Sequence, residues 1–365
     1  MTPDMKQISS HFQAEGVFKN ARPLGSGHIN DTYLVTYEHK GKSTNLAVQR
    51  INHKIFLDPP AVMSNIARVT NHVRQKLLAD SVKDISRRVL TIIPAVDSKN
   101  YYVDEHGNYW RAYLYIDNGK IYDTPESTSI ARIAAQMFGR FLEMLVDIPG
   151  SSLAETIPDF HNGPKRFKSF EAAVARDPHN RAVTAKTEID FIMKHSDILD
   201  VLPDLVEKGK IPIRVTHNDT KINNVIFDRT SGEGLCVIDL DTVMPGLILY
   251  DFGDMVRTTT CPAAEDEKDF SKVILQLEMF EALVHGFLEN TASFITDAEK
   301  KHLAFAGKMI TFEQAVRFLT DYLAGDTYYK VHYEGQNLDR SKTQLKLVQS
   351  IMENEEKMNS IVYNC

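Results

Sequence analysis

RVTHNDTKINNVIFD, residues 214–228, holds the pattern His217-x-Asp219-x-x-x-x-Asn224. Twenty residues past Asp219 stands Asp239, at the end of the apolar, β-branched run Leu235-Cys236-Val237-Ile238. A carboxylate there projects from a strand end. Phosphoryl transfer asks a protein for little covalent chemistry: a metal ion on the phosphoryl oxygens and a nucleophile held in line. Asn224 and Asp239 supply a neutral and an anionic oxygen of the kind Mg²⁺ takes, and Asp219 is left to face a substrate hydroxyl. An ordinary aspartate, with a pKa of about 3.9, deprotonates alcohols poorly, so orientation is its larger role. A surface turn with Asn218 or Asp219 capping a short helix would use the same residues. The strand-ending Asp239 at this distance, after a β-rich first third, favours the chemical reading.

Upstream, residues 18–115 read as β-rich with one helix. Thr32–Tyr37 and Leu46–Ile51 flank the turn residues His39-Lys40-Gly41-Lys42 and predict a hairpin. Pro59 and Pro60 open a helix with Val62, Ile66, Val69, Val73 and Leu77 on one face. Strands are expected over Val89–Pro94 and Trp110–Ile116, with a second hairpin turning at Asp104–Asn108. Gly25-Ser26-Gly27 precedes the first strand of the first hairpin. Paired glycines let backbone amides approach phosphates, although most such pairs are simple turns.

From about residue 118 the pattern is helical. Ile130, Ile133, Ala134, Met137, Phe138, Phe141, Leu142 and Leu145 form a broad apolar stripe, read as core. Helices are expected over 187–207, 265–289, from the capping box Thr296-Asp297-Ala298-Glu299 to Ala324, and over 341–358. The order is a β-rich lobe, residues 1–115, then a larger helical lobe, residues 116–365. No Gly/Pro linker separates them, so a shared ligand-binding cleft is expected.

Composition sets the outer bounds. Of 365 residues, 43% are hydrophobic and 25% charged, which excludes a disordered tail or a coiled-coil rod. The net charge of −7 argues against a nucleic-acid partner. Three widely spaced cysteines, Cys236, Cys261 and Cys365, fit neither a disulfide framework nor a zinc site. No apolar run approaches the roughly 18 residues of a membrane helix. The opening MTPDMKQISSHF has no signal-peptide pattern, and a cytoplasmic location is expected. Oligomeric state is left open.

The segment 214–228 resembles the catalytic loop of aminoglycoside phosphotransferases and choline kinase-like enzymes. More closely, the chain is similar to bacterial N-acetylhexosamine 1-kinases. The likeness runs through GSGHIN (25–30), RVTHNDTKINN (214–224), VIDLDTVMPG (237–246), YDFGDMVR (250–257), EDEKDFSKV (265–273), RFLTDYLAGD (317–326) and TQLKLVQ (343–349). It implies an α+β, two-lobed protein-kinase-like fold. The implied activity is ATP-dependent phosphorylation of the anomeric hydroxyl of a small sugar substrate, N-acetylglucosamine or N-acetylgalactosamine. It implies Asp219 as the catalytic aspartate, Asn224 and Asp239 as Mg²⁺ ligands, and His217 as a brace for the loop. Gly25, Ser26 and Gly27 would cover the phosphates of ATP. Leu114 to Ile116 would be the adenine hinge. His28, Asp219, Thr242, Arg317 and Tyr328 would meet the sugar, with Tyr329 an alternative to Tyr328.

Two departures stand out. Gln49, in Ala47-Val48-Gln49, holds the position of the usual kinase strand lysine, and the helix 60–78 has no glutamate to pair with one. The Gln recurs in the resembling enzymes, but a neutraliser for the nucleotide phosphates is left unassigned; Arg50 faces the other side of its strand. Asp251-Phe252-Gly253 spells the protein-kinase metal motif but lies 32 residues past Asp219. The metal is therefore assigned to Asp239, and Asp251 and Asp254 are read as holding the catalytic loop from behind. Another small hydroxylated acceptor, or a catalytically silent nucleotide-binding module, are the alternatives.

Overall fold

The computed structural model describes residues 3–25 and 30–365. The order begins α1 (Met5–Ser9), β1 (Val17–Pro23), β2 (Asp31–His39), β3 (Lys42–Ile51), α2 (Pro59–Ala79) and α3 (Ile85–Arg88). β4 (Ile92–Ile93), β5 (Tyr102–Val103), β6 (Tyr109–Leu114) and β7 (Gly119–Lys120) follow. Next come α4 (Thr128–Leu145), α5 (Gly163–Arg176), α6 (Lys186–Lys194) and α7 (Val201–Glu207). The motif region is carried by β8 (Arg214–Thr216), β9 (Val225–Asp228), β10 (Gly234–Val237) and β11 (Met244–Gly246). α8 (Ile248–Thr259), α9 (Leu277–Thr291), α10 (Asp297–Lys301), α11 (Leu303–Ala324) and α12 (Gln336–Asn364) complete the order.

The chain divides into two compact units. The first holds residues 1–120 together with 151–158 and 225–244; the second holds 121–150, 159–224 and 245–365. The first unit thus runs past the expected boundary at 115/116 and takes in two later segments. Residues 225–244 belong with the first unit because β9 pairs with both β7 and β10, Arg87 grips Asp228 at 2.7 Å, and Arg88 donates to the Gly234 carbonyl.

In the first unit six strands pair in the order β1-β2-β3-β6-β4, with β5 also on β6. The β2–β3 hairpin forms as expected. Its turn residues Lys40 and Gly41 both have positive φ, the geometry that suits a tight hairpin. Val35, Tyr37, Leu46, Val48, Trp110 and Ala112 alternate onto one face and pack with Met5, Ile8 and Phe12. The α2 face Val62, Ile66, Val69, Val73, Leu77 is buried throughout, and Asp58 caps its start by accepting the Ala61 N–H. The expected strand over Val89–Pro94 shortens to Ile92–Ile93.

In the second unit α11 packs against α5, α8 and α12, and α4 against α9. α8 and α11 approach closely: a Cβ on Gly253 would meet the Ala306 carbonyl oxygen at 2.4 Å. Four helix expectations are corrected. The segment 187–207 breaks into α6, a 3₁₀ turn Ser196–Leu199, and α7. Pro203 is tolerated only in a first turn, which a continuous helix would not offer. Residues 265–276 are not α-helical and hold only the 3₁₀ turn Phe270–Lys272. Val273 and Leu275 are buried around exposed Ile274, a two-residue alternation that belongs to extended chain. The capping box forms, but the helix is interrupted at His302 before α11. The last helix is longer than 341–358, since Leu338, Leu345, Val348, Ile351, Met358 and Val362 continue one buried face. Among the described residues no helix is long and apolar enough to cross a membrane.

Candidate active site

In the second unit β8 runs into the loop His217–Asn224, whose last residues form a 3₁₀ turn. Asn218 sits at φ +65°, a left-handed conformation that Asn tolerates because its short side chain bonds locally. Thr216 Oγ1 donates to its Oδ1 at 3.0 Å. A Cβ on Gly246 would strike both of those oxygens, at 2.2 and 2.5 Å, so only glycine fits beside the loop. His217 is fully buried, set edge-on against Phe138 and Phe141, and its Nδ1 accepts the Asp219 N–H at 3.3 Å. It braces the loop.

Asp219 projects from this support, partly exposed. Asn224 Nδ2 donates to its carbonyl oxygen at 2.9 Å and to Oδ2 at 3.3 Å, which leaves Asn224 Oδ1 as the accepting end. Lys221 Nζ lies 3.1 Å from Asp219 Oδ1. Burial disfavours the charged form of Asp219, but Lys221, His217 and Arg257 outweigh it and hold the carboxyl below its usual range. The Asp219 charge in turn raises Lys221.

The Asp-Phe-Gly triplet lies inside α8. Asp251, fully buried, accepts the backbone N–H of His217 at 2.9 Å and of Asn218 at 2.6 Å, and its carbonyl accepts Thr220 Oγ1. Burial pushes its carboxyl up to about 6, against the pull of His217, those two N–H groups and His161. Asp254 differs from expectation. It grips Arg257 Nε at 3.0 Å, and Arg257 also reaches Glu265.

Beyond the loop, His161 links the Asn218 carbonyl (3.2 Å) to Glu313 on α11 (3.1 Å). One turn on, Arg317 lies over the Phe160 ring and beside Tyr329. Tyr329 accepts from Gln314 and packs on Phe318. Tyr328, set edge-on to it, is 47% exposed. Both tyrosines hang from one buried carboxylate. Asp321 Oδ1 accepts Thr327 and Tyr328 N–H, and Oδ2 accepts Tyr329 N–H and Asn337 Nδ2, at 2.8–2.9 Å.

In the first unit Asp239 is exposed at the end of buried β10, at φ +58°. It opens the 3₁₀ turn Leu240–Thr242, in which Asp241 and Thr242 are buried. Leu114 ends β6 and Ile116 lies two residues beyond; the Leu114 N–H is taken by the Thr91 carbonyl. Gln49 uses both ends of its amide within the sheet, donating to Thr32 Oγ1 and accepting from Arg111 Nε, each at 2.9 Å. Gly25 is exposed at φ +74°. Ser26, Gly27 and His28 lie outside the described residues.

The structure thus gathers Asp219 and Asn224 on one loop and carries Arg317 and Tyr328 on the same unit. Asp239, Thr242, Gln49, Leu114 and Ile116 belong to the other. Sequence reading missed Lys221, Asp321, His161–Glu313 and Arg111. Lys221 lies inside the motif, and Arg111 is the lone charge in the apolar strand Tyr109–Leu114; both were open to notice. Asp321 and Glu313 carry no local signal.

Residues 20–270 match the phosphotransferase enzyme family. An aminoglycoside phosphotransferase from Alicyclobacillus acidocaldarius superposes with a TM-score of 0.63 at 10% identity, covering 100% of this chain and 98% of that one. A choline kinase from Cryptosporidium parvum gives 0.55 at 14%, covering 99% and 96%. A spectinomycin phosphotransferase solved with ADP and spectinomycin gives 0.52 at 14%, covering 93% and 94%. These likenesses show the fold, protein-kinase-like with a β-sheet N-terminal part and a helical C-terminal part.

Proposed function

Because this chain belongs to the phosphotransferase enzyme family, we propose that it moves the γ-phosphoryl group of ATP to the anomeric hydroxyl of an N-acetylhexosamine, giving the sugar 1-phosphate and ADP. The observation that carries the transfer is the loop around Asp219. A carboxylate kept charged by Lys221 and His217 accepts a hydrogen bond from the acceptor hydroxyl and fixes its direction. The hydroxyl oxygen forms the new bond to phosphorus, the bond to the β–γ bridging oxygen breaks, and the hydroxyl proton leaves by way of Asp219.

The acceptor class rests on the resemblance through residues 317–326. Lys221, Arg257, Arg317 and Arg166 of the second unit are matched by the carboxylates of Asp219, Asp254, Glu265 and Glu313. Arg317 on its aromatic bed, with the exposed Tyr328 ring, suits a neutral sugar bearing an amide.

Asn224 Oδ1 and the Asp239 carboxylate are hard oxygen donors that fit Mg²⁺, which takes one or two carboxylates plus phosphate and water rather than a dedicated cage. Among the described residues no group of three or more His, Cys, Asp or Glu forms such a cage. When bound, Mg²⁺ would neutralise charge on the phosphoryl oxygens. The first unit would take the nucleotide, through residues 25–27 and the hinge at Leu114–Ile116.

The test is ADP release with ATP, Mg²⁺ and a panel of N-acetylglucosamine, N-acetylgalactosamine, galactose, glucose, choline and kanamycin. Turnover confined to the N-acetylhexosamines, lost in Asp219→Asn, with a 1-phosphate seen by NMR, is the expected result. Turnover only on another acceptor overturns the substrate. ATP binding without turnover on any of them overturns the activity.

A further inference from the structure

Gln49 leaves this chain without the strand cation of kinase-like enzymes, yet a buried cation stands beside it. Arg111 on β6 is the direct cross-strand partner of Gln49 and is 1% exposed. Its Nε donates to Gln49 Oε1 at 2.9 Å. Its Nη1 and Nη2 form a two-pronged pair with the Asp241 carboxylate, the second prong at 3.0 Å. Asp241, 2% exposed, also accepts Asn30 Nδ2 at 2.7 Å, and Asn30 Oδ1 accepts the Asn52 N–H. A planar guanidinium fixes a carboxylate in two dimensions, which a lysine does not.

The partner's position gives the pair its meaning. Asp241 lies two residues past Asp239, in the same 3₁₀ turn. The turn is also held at its far end, where Asn65 on α2 donates to the Val243 carbonyl at 3.0 Å. Asp239 itself sits in a left-handed conformation that costs an aspartate energy and persists only where its surroundings impose it. With Nε and both terminal nitrogens engaged inside the unit, Arg111 serves the protein rather than a ligand.

We propose that Arg111 is a positioning residue for the metal-binding turn. Through Asp241 it sets the direction of the Asp239 carboxylate, and so replaces the strand-lysine and helix-glutamate pair with one between a neighbouring strand and the turn itself. This rests on the assignment of Asp239 as a metal ligand. Supporting groups around metal ligands are typically worth about 10–100-fold in metal affinity.

The experiment uses the whole chain and two ligands. Mn²⁺ binding in the presence of ADP is followed by the loss of free-ion EPR signal, and metal-free ADP binding by calorimetry. Arg111→Lys keeps the charge and loses the fork; Asp241→Asn keeps the shape and loses the charge. The double variant Arg111→Met/Asp241→Leu replaces the pair with apolar groups and avoids a lone buried charge. Each folded variant, judged by circular dichroism, is expected to bind Mn²⁺·ADP about 10–100-fold more weakly while metal-free ADP affinity stays within about threefold. Wild-type Mn²⁺ affinity in all three overturns the proposal and leaves Asp239 as a ligand. A comparable loss of metal-free ADP affinity overturns it in favour of direct phosphate contact. Failure of the wild type to bind Mn²⁺·ADP, or its persistence in Asp239→Asn, removes the metal site and the proposal together.

Discussion

Two segments of this molecule solve one problem differently. The loop His217–Asn224 in the second unit and the turn Asp239–Thr242 in the first each carry a non-glycine residue at positive φ, Asn218 at +65° and Asp239 at +58°. Each is held by a buried carboxylate. Asp251 grips its loop through the backbone, taking two successive N–H groups. Asp241 is part of its turn and is gripped through a side chain, Arg111. A backbone clamp is indifferent to the side chains of the loop it holds, so it tolerates variation there but nothing at the clamp. A side-chain clamp makes the turn depend on a strand residue 130 positions away.

The sharpest way to break the comparison is Asp251→Ala. Two buried N–H groups lose their acceptor, at about 1–3 kcal/mol each. Displacing Asp219 by as little as 1 Å is expected to lower kcat on the order of 10²-fold. Steady-state kinetics on folded protein, with melting temperature alongside, measures both. Near wild-type kcat in the variant would mean that Asp251 supports the fold and not the chemistry.

Which parts were legible in the sequence follows from the same contrast. The β2–β3 hairpin, the buried face of α2 and the capping box at Thr296 are set by neighbours within a few residues, and each forms as read. The motif around Asp219 is local too, and Asp251 lies inside α8 rather than at a strand end. Arg111 was visible as a lone charge, but nothing near it names Asp241 as its partner. Asp321 reads as one more polar residue on a helix until the chain turns back at Gly325 and lays three amides on it. The break at His195 is not legible because apolar periodicity continues through it, and Pro203 is the local sign against one continuous helix.

A third carboxylate clamp extends the comparison to the acceptor side. Asp321→Asn weakens the hold on the amides of Thr327, Tyr328 and Tyr329 without touching the loop of Asp219. The expected effect is a rise in KM for the acceptor of about tenfold, equivalent to roughly 1.4 kcal/mol, with kcat and the KM for ATP little changed. Equal losses in kcat and both KM values would make the Asp321 network a general structural element.

Protonation separates the two kinds of clamp without mutation. Asp251 is raised by burial from an ordinary value near 3.8 to about 6. The fold therefore favours its neutral form, and its contribution to stability is largest below about pH 4 and declines as pH rises to about 6. Lowering the pH through 6 does not unfold the protein on its account, yet it removes the charge that holds His217 and Asn218. Activity is expected to show an acid limb near pH 6 while melting temperature, as far as Asp251 decides it, rises rather than falls as pH is lowered from about 6.5 to 5. An acid limb that tracks a falling melting temperature would assign the loss to unfolding.

The smallest expected effect tests whether Gln49 or Arg111 answers for the missing strand lysine. Gln49→Leu removes the acceptor of Arg111 Nε and strands the Thr32 hydroxyl, which should cost about 1–3 kcal/mol in unfolding free energy. The fork from Arg111 to Asp241 survives, because it uses the other two nitrogens. Gln49 then serves as a spacer that keeps the guanidinium flat against its neighbour strand, and Mn²⁺·ADP affinity should fall less than in Arg111→Lys, by about threefold at most if the fork carries the effect. If Gln49→Leu instead weakened Mn²⁺·ADP binding as much as loss of the arginine, the three-residue row Thr32–Gln49–Arg111 would act as one unit. Control of the Asp239 turn would then lie in the sheet as a whole rather than in one ion pair.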